Sequence, residues 1–144
     1  MEKELLAFKN LPKGREFPAV YETLTEEKIT KFAEAVETEN PLFLEKEYAR
    51  RSKFGSILAP PMIAYLLFRH SYLANATMPG GGIGLKMEFE FLKPAKANEA
   101  LVTTTKVADS YERDGRKYVT LEGITKNDKG EKVYISRMSA IWPE

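Results

Sequence analysis

The sequence contains no cysteine, and its 144 residues include one histidine and one tryptophan. The absence of cysteine excludes disulfide bonds, thiolate metal sites and a thiol nucleophile. We therefore expect neither a metal site nor a cofactor in this chain.

An excess of charge of either sign is also missing. The 22 basic and 21 acidic side chains almost cancel, which leaves a formal net charge of +1. Proteins that bind nucleic acid or a membrane surface through charge carry a basic patch or a basic amphipathic segment, and none is visible here. We expect no nucleic-acid partner.

Long hydrophobic runs are absent as well. No apolar stretch approaches the roughly 18 residues that a membrane-spanning helix requires. The start of the sequence, "MEKELLAFKNLPKG", is too charged for a secretory signal. We therefore expect no membrane partner and, by default, a cytoplasmic location.

What the sequence does contain is typical of an ordinary globular domain. Hydrophobic residues make up 43% and aromatic residues 11% of the chain. A chain of this length can bury roughly 70% of the surface that it exposes when unfolded. We expect one domain over residues 1–144, in which residues 1–15 form a charged lead-in.

The first half of the sequence predicts a short strand and then helices. Residues 16–24 read as a strand, and Thr25 is a good N-cap for the helix that follows. Asn40-Pro41 ends this helix, because a residue before proline is pushed out of the α region. Residues 44–52 read as one or two helical turns. The apolar positions that define one face of the first helix are Ile29, Phe32, Ala33 and Val36.

The second half predicts a buried helix and an antiparallel sheet. The helix spans about residues 60–74 and is apolar nearly all round, so we expect other structure to wrap it. Alternating Leu85, Met87, Phe89 and Phe91 then indicate a half-buried strand. Three longer strands follow, at about 99–112, 116–126 and 131–142. The order predicts an α+β fold in which a strongly curved antiparallel sheet wraps a long central helix. Because such a sheet has exposed edges, we expect it to pair with a second copy or a homologue.

The segments "ENPLFLEKEYA" and "FGSILAPPM" occur in this order in the sequence. Together they resemble a catalytic motif of the MaoC-like hydratase and dehydratase family, which has the hot dog fold. In catalytic relatives these segments resemble Asp-x-Asn-Pro-Leu-His and Phe-Gly-x-x-Ile-Ala-His-Gly-Met. The resemblance spans about residues 16–142. It is closest to the branch called the MaoC dehydratase N-terminal, or FAS1-like dehydratase, domain.

The resemblance implies a reaction and also the loss of its catalytic groups. The family adds water to a trans-2-enoyl thioester or removes it from a (3R)-hydroxyacyl thioester. That reaction needs an aspartate, a histidine and an N–H donor for the thioester oxygen. In this sequence Thr38 occupies the position of the aspartate, and Phe43 occupies that of the histidine. Pro61 occupies the position of the glycine that supplies the N–H. The residues that the resemblance places at the substrate are Asn40, Pro41, Phe54, Gly55, Met62 and Ile63.

Three other residues are possible substitutes for the missing groups. Glu37 and Glu39 flank Thr38, and a shift of one residue could bring either carboxylate into the site. The simpler interpretation is that both are solvated charges at a helix end. His70, the only histidine, is more simply a packed or interface residue than a catalyst.

The leading hypothesis is a non-catalytic, or substrate-holding, subunit of a heteromeric (3R)-hydroxyacyl-thioester dehydratase or enoyl-thioester hydratase. Its partners are then an acyl-CoA or acyl-ACP thioester and a catalytic MaoC-like subunit that carries the Asp/His pair. One alternative is a homodimeric acyl-thioester-binding protein without chemistry. Another is an acyl-CoA thioesterase, which the absence of a carboxylate from the central helix disfavours.

Overall fold

The computed structural model describes residues 2–144, which form seven strands and four α-helices. A single 3-10 turn, Phe8–Asn10, follows the first strand. In chain order the elements are β1 (Glu4–Leu5), β2 (Val20–Thr23), α1 (Glu26–Ala35), α2 (Pro41–Leu44), α3 (Lys46–Arg51), α4 (Ile63–Leu73), β3 (Ala76–Thr77), β4 (Ile83–Phe91), β5 (Ala100–Arg113), β6 (Arg116–Lys126) and β7 (Lys132–Trp142).

The main sheet has five antiparallel strands in the order β2-β5-β6-β7-β4. Asp114 and Gly115 join β5 to β6, and both have positive φ angles, 52° and 76°. Those angles are what a two-residue hairpin turn requires, and they match the twist of the flanking strands. The α+β class, the four later strands and this hairpin are therefore as the sequence predicts.

Helix α4 packs on one face of the sheet, across β5, β6 and β7. The prediction that it is apolar and covered nearly all round is wrong, because Arg69 and His70 are exposed. At 11 residues α4 is well short of the roughly 20 needed to cross a bilayer. No other helix in residues 2–144 could do so. The face of α4 that meets the sheet consists of Ile63, Ala64, Leu67, Phe68, Ser71 and Tyr72.

Strand β4 lies at an edge of the sheet and is largely uncovered. Leu85 is 52% exposed, Met87 44% and Phe91 48%, so the predicted half-buried strand is wrong for this chain by itself. The reason is that α4 covers β5, β6 and β7, whereas β4 is the outermost strand. An exposed apolar edge strand is a template for pairing with another chain.

The other face of the sheet carries a ladder of alternating charges across four strands. Lys106, Glu122, Arg137 and Glu88 are successive register partners. Arg137 Nε lies 2.7 Å from Glu122 Oε2, and Lys106 Nζ lies 3.7 Å from Glu122 Oε1. A shift of register by one residue would turn these charges toward the core, so the ladder helps to specify the pairing.

The charged lead-in is folded against the rest of the chain. Strand β1 pairs in parallel with β3, and both Leu6 and Leu11 are fully buried. The indole Nε1 of Trp142 donates a hydrogen bond of 2.7 Å to the Leu6 carbonyl oxygen. Leu6 and Leu11 of the N-terminal segment therefore belong to the hydrophobic core.

Candidate functional site

Helix α1 ends in a left-handed turn centred on Glu37. The Thr38 N–H donates to the Ala33 carbonyl and the Glu37 N–H to the Glu34 carbonyl, both at 3.1 Å. These two bonds form a Schellman motif, in which the residue at the position of Glu37 is usually glycine. Glu37 instead has a φ of 55°, so its backbone is strained at the point where the chain enters the candidate site.

This turn predicts opposite effects for two glycine substitutions. Glu37→Gly is expected to raise the free energy of unfolding by about 1 kcal/mol, because glycine adopts the left-handed region without the steric cost. Glu39→Gly is the control, since Glu39 is also exposed but has no positive φ. There glycine is expected to lower the free energy of unfolding by about 0.5 kcal/mol. Urea denaturation measures both, and equal losses at the two positions would contradict the assigned strain.

Asn40 and Pro41 shape the next turn and do not reach a cavity. The Asn40 side chain caps α2 by accepting a hydrogen bond of 3.0 Å from the Leu42 N–H. The Thr38 hydroxyl in turn accepts from the Asn40 N–H at 3.3 Å. Proline at the first position of α2 fits, because that N–H would have no partner within the helix. The turn thereby directs Leu42 and Phe43 toward the interior.

Phe43, Phe54 and Pro61 meet at one cavity of about 270 Å³, which we call the inner cavity. Its polar side chains are Tyr134 and Lys93, and the latter is ion-paired with Glu131. None of the residues that line it, all within residues 2–144, carries a carboxylate or an imidazole. The full lining is Leu42, Phe43, Phe54, Leu58, Ala59, Pro61, Phe91, Leu92, Lys93, Pro94 and Tyr134.

A second cavity, the outer cavity, adjoins the first and has a volume of about 670 Å³. The two cavities share Leu42 and Phe54, which form the wall between them. The outer cavity is open and combines aromatic, apolar and charged side chains. Its lining is Leu42, Glu47, Tyr48, Arg51, Ser52 and Phe54.

The third depression, the helix groove, runs between α1 and α4 and has a volume of about 370 Å³. Ile63 lines it, and His70 lies at its rim. His70 is not packed within the single chain, since its side chain is 54% exposed and its Nδ1 lies 3.4 Å from Glu22 Oε2. The alternative, that His70 is an interface residue, stays a prediction. The groove is lined by Glu22, Leu24, Lys28, Lys31, Phe32, Ala35, Ile63, Leu66, Leu67 and His70.

The structure brings together only part of the residue set expected at the site. Of the three positions that the resemblance assigns to catalysis, Phe43 and Pro61 share the inner cavity, whereas Thr38 lines none of the three depressions. Glu37 and Glu39 are exposed and line none of them. Of the expected substrate-binding residues, Phe54 lies at both cavities and Ile63 at the groove. The remaining ones, Asn40, Pro41, Gly55 and Met62, lie outside all three.

Tyr134, which lines the inner cavity, and the neighbouring Glu99 each carry a buried polar atom. Tyr134 is 1% exposed, and neither its hydroxyl nor Glu99 Oε1 has a hydrogen-bond partner in residues 2–144. Burial raises the pKa of Tyr134 well above its ordinary value, the Glu99 carboxylate raises it further, and the Ala95 backbone opposes both. Burial likewise raises the pKa of Glu99, with a contribution from Asp128. Tyr134 is thus a hydrogen-bond donor and not a base at neutral pH.

The raised pKa of Glu99 predicts how stability depends on pH. The folded chain holds the Glu99 proton more tightly than the unfolded chain, whose glutamate pKa is about 4.3. Protonation of Glu99 therefore stabilises the folded chain relative to the unfolded chain. This stabilisation is fully present below the unfolded pKa and is lost as the pH rises through the folded pKa. Glu99→Gln is expected to be more stable than wild type at pH 7, with no gain near pH 4.

Glu131→Gln is the matched comparison, and urea denaturation across this pH range measures both variants. The hydrogen bond from Lys93 lowers the pKa of Glu131, so its contribution is present above the unfolded pKa and is lost as the pH falls. We expect this variant to be less stable than wild type at pH 7. A stability change of the same sign in both variants would contradict the assigned directions.

Sequence reasoning did not find Tyr48, Arg51 or Tyr134. The run "YARRSKF" mixes aromatic and basic residues, and this pattern is a usable signal for the outer cavity. Tyr134 carries no such signal, because an aromatic residue in a strand is most simply a core residue.

Comparison with known proteins identifies the family of this chain. The family described as FAS1-like, dehydratase domain region matches residues 12–136. A UPF0336 protein of Saccharopolyspora erythraea is 29% identical over 136 residues, which cover 89% of this chain and 86% of that protein.

Solved structures show the same fold. R-hydratase PhaJ1 from Pseudomonas aeruginosa has a TM-score of 0.82 at 21% identity, over 96% of this chain and 86% of that one. A chain of the C-terminally truncated HadBC (3R-hydroxyacyl-ACP dehydratase) complex from Mycobacterium tuberculosis has a TM-score of 0.76 at 23% identity, over 90% and 96%. The predicted hot dog fold is thereby confirmed. With the family match spanning residues 12–136, this chain belongs to the family described as FAS1-like, dehydratase domain region.

Proposed function

We propose that this chain is the substrate-holding subunit of a heteromeric (3R)-hydroxyacyl-thioester dehydratase, or enoyl-thioester hydratase. A second hot dog subunit supplies the Asp/His pair. The observation that carries the proposal is the inner cavity, where Phe43 and Pro61 stand at two family positions and no lining residue has a carboxylate or an imidazole.

The chemistry of hydration requires catalytic groups that the inner cavity lacks. Adding water to an enoyl thioester requires a base for the water, an acid for the α-carbon and a donor for the thioester oxygen. Phe43 has no proton to exchange, and Pro61 has no N–H. A tyrosine with a raised pKa, such as Tyr134, can donate a hydrogen bond but cannot take a proton from water near pH 7.

The cavities nevertheless suit a thioester. The inner cavity is apolar, and the helix groove offers further apolar surface beside Ile63, two residues beyond Pro61. Aliphatic and aromatic side chains that line a concave surface favour an acyl chain. We assign the acyl chain to these two depressions.

The exposed edge of β4 is the surface where the catalytic subunit docks. Its apolar side chains, Leu85, Met87 and Phe91, are about half exposed, and its outer backbone groups are free to pair. Phe91 at the end of β4 also lines the inner cavity, so a partner strand along β4 would close that cavity. The fold similarity to a chain of a complex named as a (3R)-hydroxyacyl-ACP dehydratase supports a heteromeric assembly.

Co-purification and reconstitution test the proposal. The full chain is tagged in its source organism, its partner is identified, and the two purified chains are assayed for hydration of crotonyl-CoA alone and together. We expect turnover only with a partner that carries an intact Asp/His pair. Asp→Asn in that partner should abolish turnover, whereas Thr38→Ala in this chain should not. Equal turnover by the partner alone would overturn the proposal.

A homodimer that binds acyl thioesters without chemistry is the second candidate, and one feature of β4 favours it. If two β4 strands pair in antiparallel fashion about Met87, Lys86 of one copy faces Glu88 of the other, so the edge is complementary to itself. A persistent homodimer that retains bound acyl-CoA and has no hot dog partner would support this function over the heteromeric one.

A further inference from the structure

The segment from α3 to Phe54 carries two cations without carboxylate partners. Lys46 Nζ lies 3.6 Å from a carboxylate of α1, and the Arg50 guanidinium lies 2.8 Å from Glu47. Arg51 and Lys53, by contrast, form no ion pair within residues 2–144. Both side chains are exposed and unpaired, so they are available to an anionic ligand.

The surroundings of these cations fit a phosphate that is attached to a larger group. Arg51 lines the outer cavity together with Tyr48 and Phe54. Lys53 Nζ lies 5.2 Å from the centroid of the Phe54 ring, so it stands beside the same wall. A guanidinium binds phosphate through two parallel hydrogen bonds, and exposed aromatic rings offer a face for flat groups. Glu47 also lines this cavity, but Arg50 neutralises its charge.

The position of the outer cavity relates it to the thioester. It shares Leu42 and Phe54 with the inner cavity, so the two cavities adjoin along these two side chains. A thioester whose acyl end occupies the inner cavity would extend its carrier arm in this direction. The carrier arm of every phosphopantetheine thioester ends in a phosphate.

Other basic groups are less suitable. Lys28 and His70, near the helix groove, both face Glu22, at 3.7 Å and 3.4 Å. Arg116 is exposed at the β5–β6 hairpin and lines none of the three depressions. Of the three depressions, only the outer cavity combines unpaired cations, aromatic rings and lining residues shared with the inner cavity.

We propose that the outer cavity binds the phosphate of the thioester's phosphopantetheine arm, with Arg51 as the principal contact and Lys53 as the second. This assignment rests on the proposed function, since it takes the acyl end to lie in the inner cavity. The phosphate comes from coenzyme A or from a phosphopantetheinylated carrier protein, and both sources present the same group.

Isothermal titration calorimetry with two esters tests the assignment. The full chain, in the assembly in which it purifies, is titrated with S-butyryl-4′-phosphopantetheine and with S-butyryl-pantetheine, which differs only in lacking the phosphate. We expect wild type to bind the phosphorylated ester about tenfold more tightly. Arg51→Gln should remove most of this difference in affinity by weakening the phosphorylated ester alone, and Lys53→Gln should reduce the difference less. Arg116→Gln, the matched control, should leave it unchanged.

The possible outcomes separate this inference from the proposed function. If both esters bind and Arg51→Gln leaves their ratio unchanged, the phosphate site is wrong while the substrate-holding function stands. If neither ester binds to wild type, both fail. Butyryl-loaded carrier protein identifies the source: binding that depends on Arg51 and exceeds that of butyryl-CoA assigns the site to a carrier protein, and the reverse order assigns it to coenzyme A.

Discussion

Replacing Gly123 by alanine is expected to lower the free energy of unfolding by about 3 kcal/mol, the upper part of the range for overpacked cores. Gly123 lies in β6, directly beneath α4. A Cβ atom at this position would meet Phe68 Cδ1 at 2.6 Å and Thr105 Oγ1 at 2.9 Å. Neither neighbour can move freely, because Phe68 is fully packed and Thr105 is hydrogen-bonded to Ser71 at 2.5 Å. Alanine therefore separates α4 from the sheet.

Gly84→Ala is the control for this prediction. Gly84 is also a strand glycine, yet a Cβ there meets nothing within 4 Å. Its effect on the free energy of unfolding should stay within about 0.5 kcal/mol. Urea denaturation followed by fluorescence of the buried Trp142 measures both variants. A change at Gly123 as small as that at Gly84 would show that α4 does not approach the sheet as closely as described.

Replacing Met87 by lysine is expected to weaken the assembly at least about a hundredfold, because the interface would have to bury an unpaired charge. Met87 is 44% exposed at the middle of the β4 edge. The chain should remain folded, since this side chain is not enclosed in the core of the single chain. Sedimentation velocity over a range of concentrations measures the dissociation constant.

Tyr21→Lys is the matched control at the opposite edge of the same sheet. Tyr21 lies on β2 and is 79% exposed, so it offers another apolar edge residue for the same substitution. We expect the dissociation constant of this variant's assembly to equal that of wild type. Dissociation by Tyr21→Lys with no effect of Met87→Lys would place the interface on β2 and would contradict the docking surface assigned here.

Much of the fold could be predicted from the sequence because its signals are local. Thr25 caps α1 through a hydrogen bond of 3.2 Å from the Lys28 N–H, as its side chain and position suggest. Asp114-Gly115 specifies a hairpin, and the alternation of apolar and charged residues specifies which way each strand faces. Each of these signals depends only on neighbours within a few residues.

The burial of β4 and of the N-terminal segment could not be predicted in this way. Alternation in β4 shows that one face is apolar but not whether anything covers it, and α4 leaves it uncovered. Leu6 and Leu11 lie in a stretch that also carries several charges, yet both are fully buried. Their burial depends on contacts with residues distant in the sequence, such as Trp142.

The candidate site likewise contains residues that the sequence predicted and residues that only the packing reveals. The resemblance to catalytic motifs selected Phe43, Phe54 and Pro61, and all three line the inner cavity. It also selected Asn40, which instead caps α2 and lines no cavity, because the motif preserves a turn as well as a site. Arg51 lies outside the part of the motif that carries chemistry, and only the packing of α3 beside Phe54 brings it to the outer cavity.

The central claim is that this chain cannot carry out hydration without a catalytic partner subunit. The most direct measurement is the rate at which the purified chain, free of any partner, consumes the conjugated double bond of crotonyl-CoA. Because no carboxylate or imidazole lines the inner cavity, we predict a rate equal to the buffer background in wild type and in Glu37→Gln, Glu39→Gln and His70→Gln. Turnover by wild type that any one of these substitutions abolishes would contradict the account.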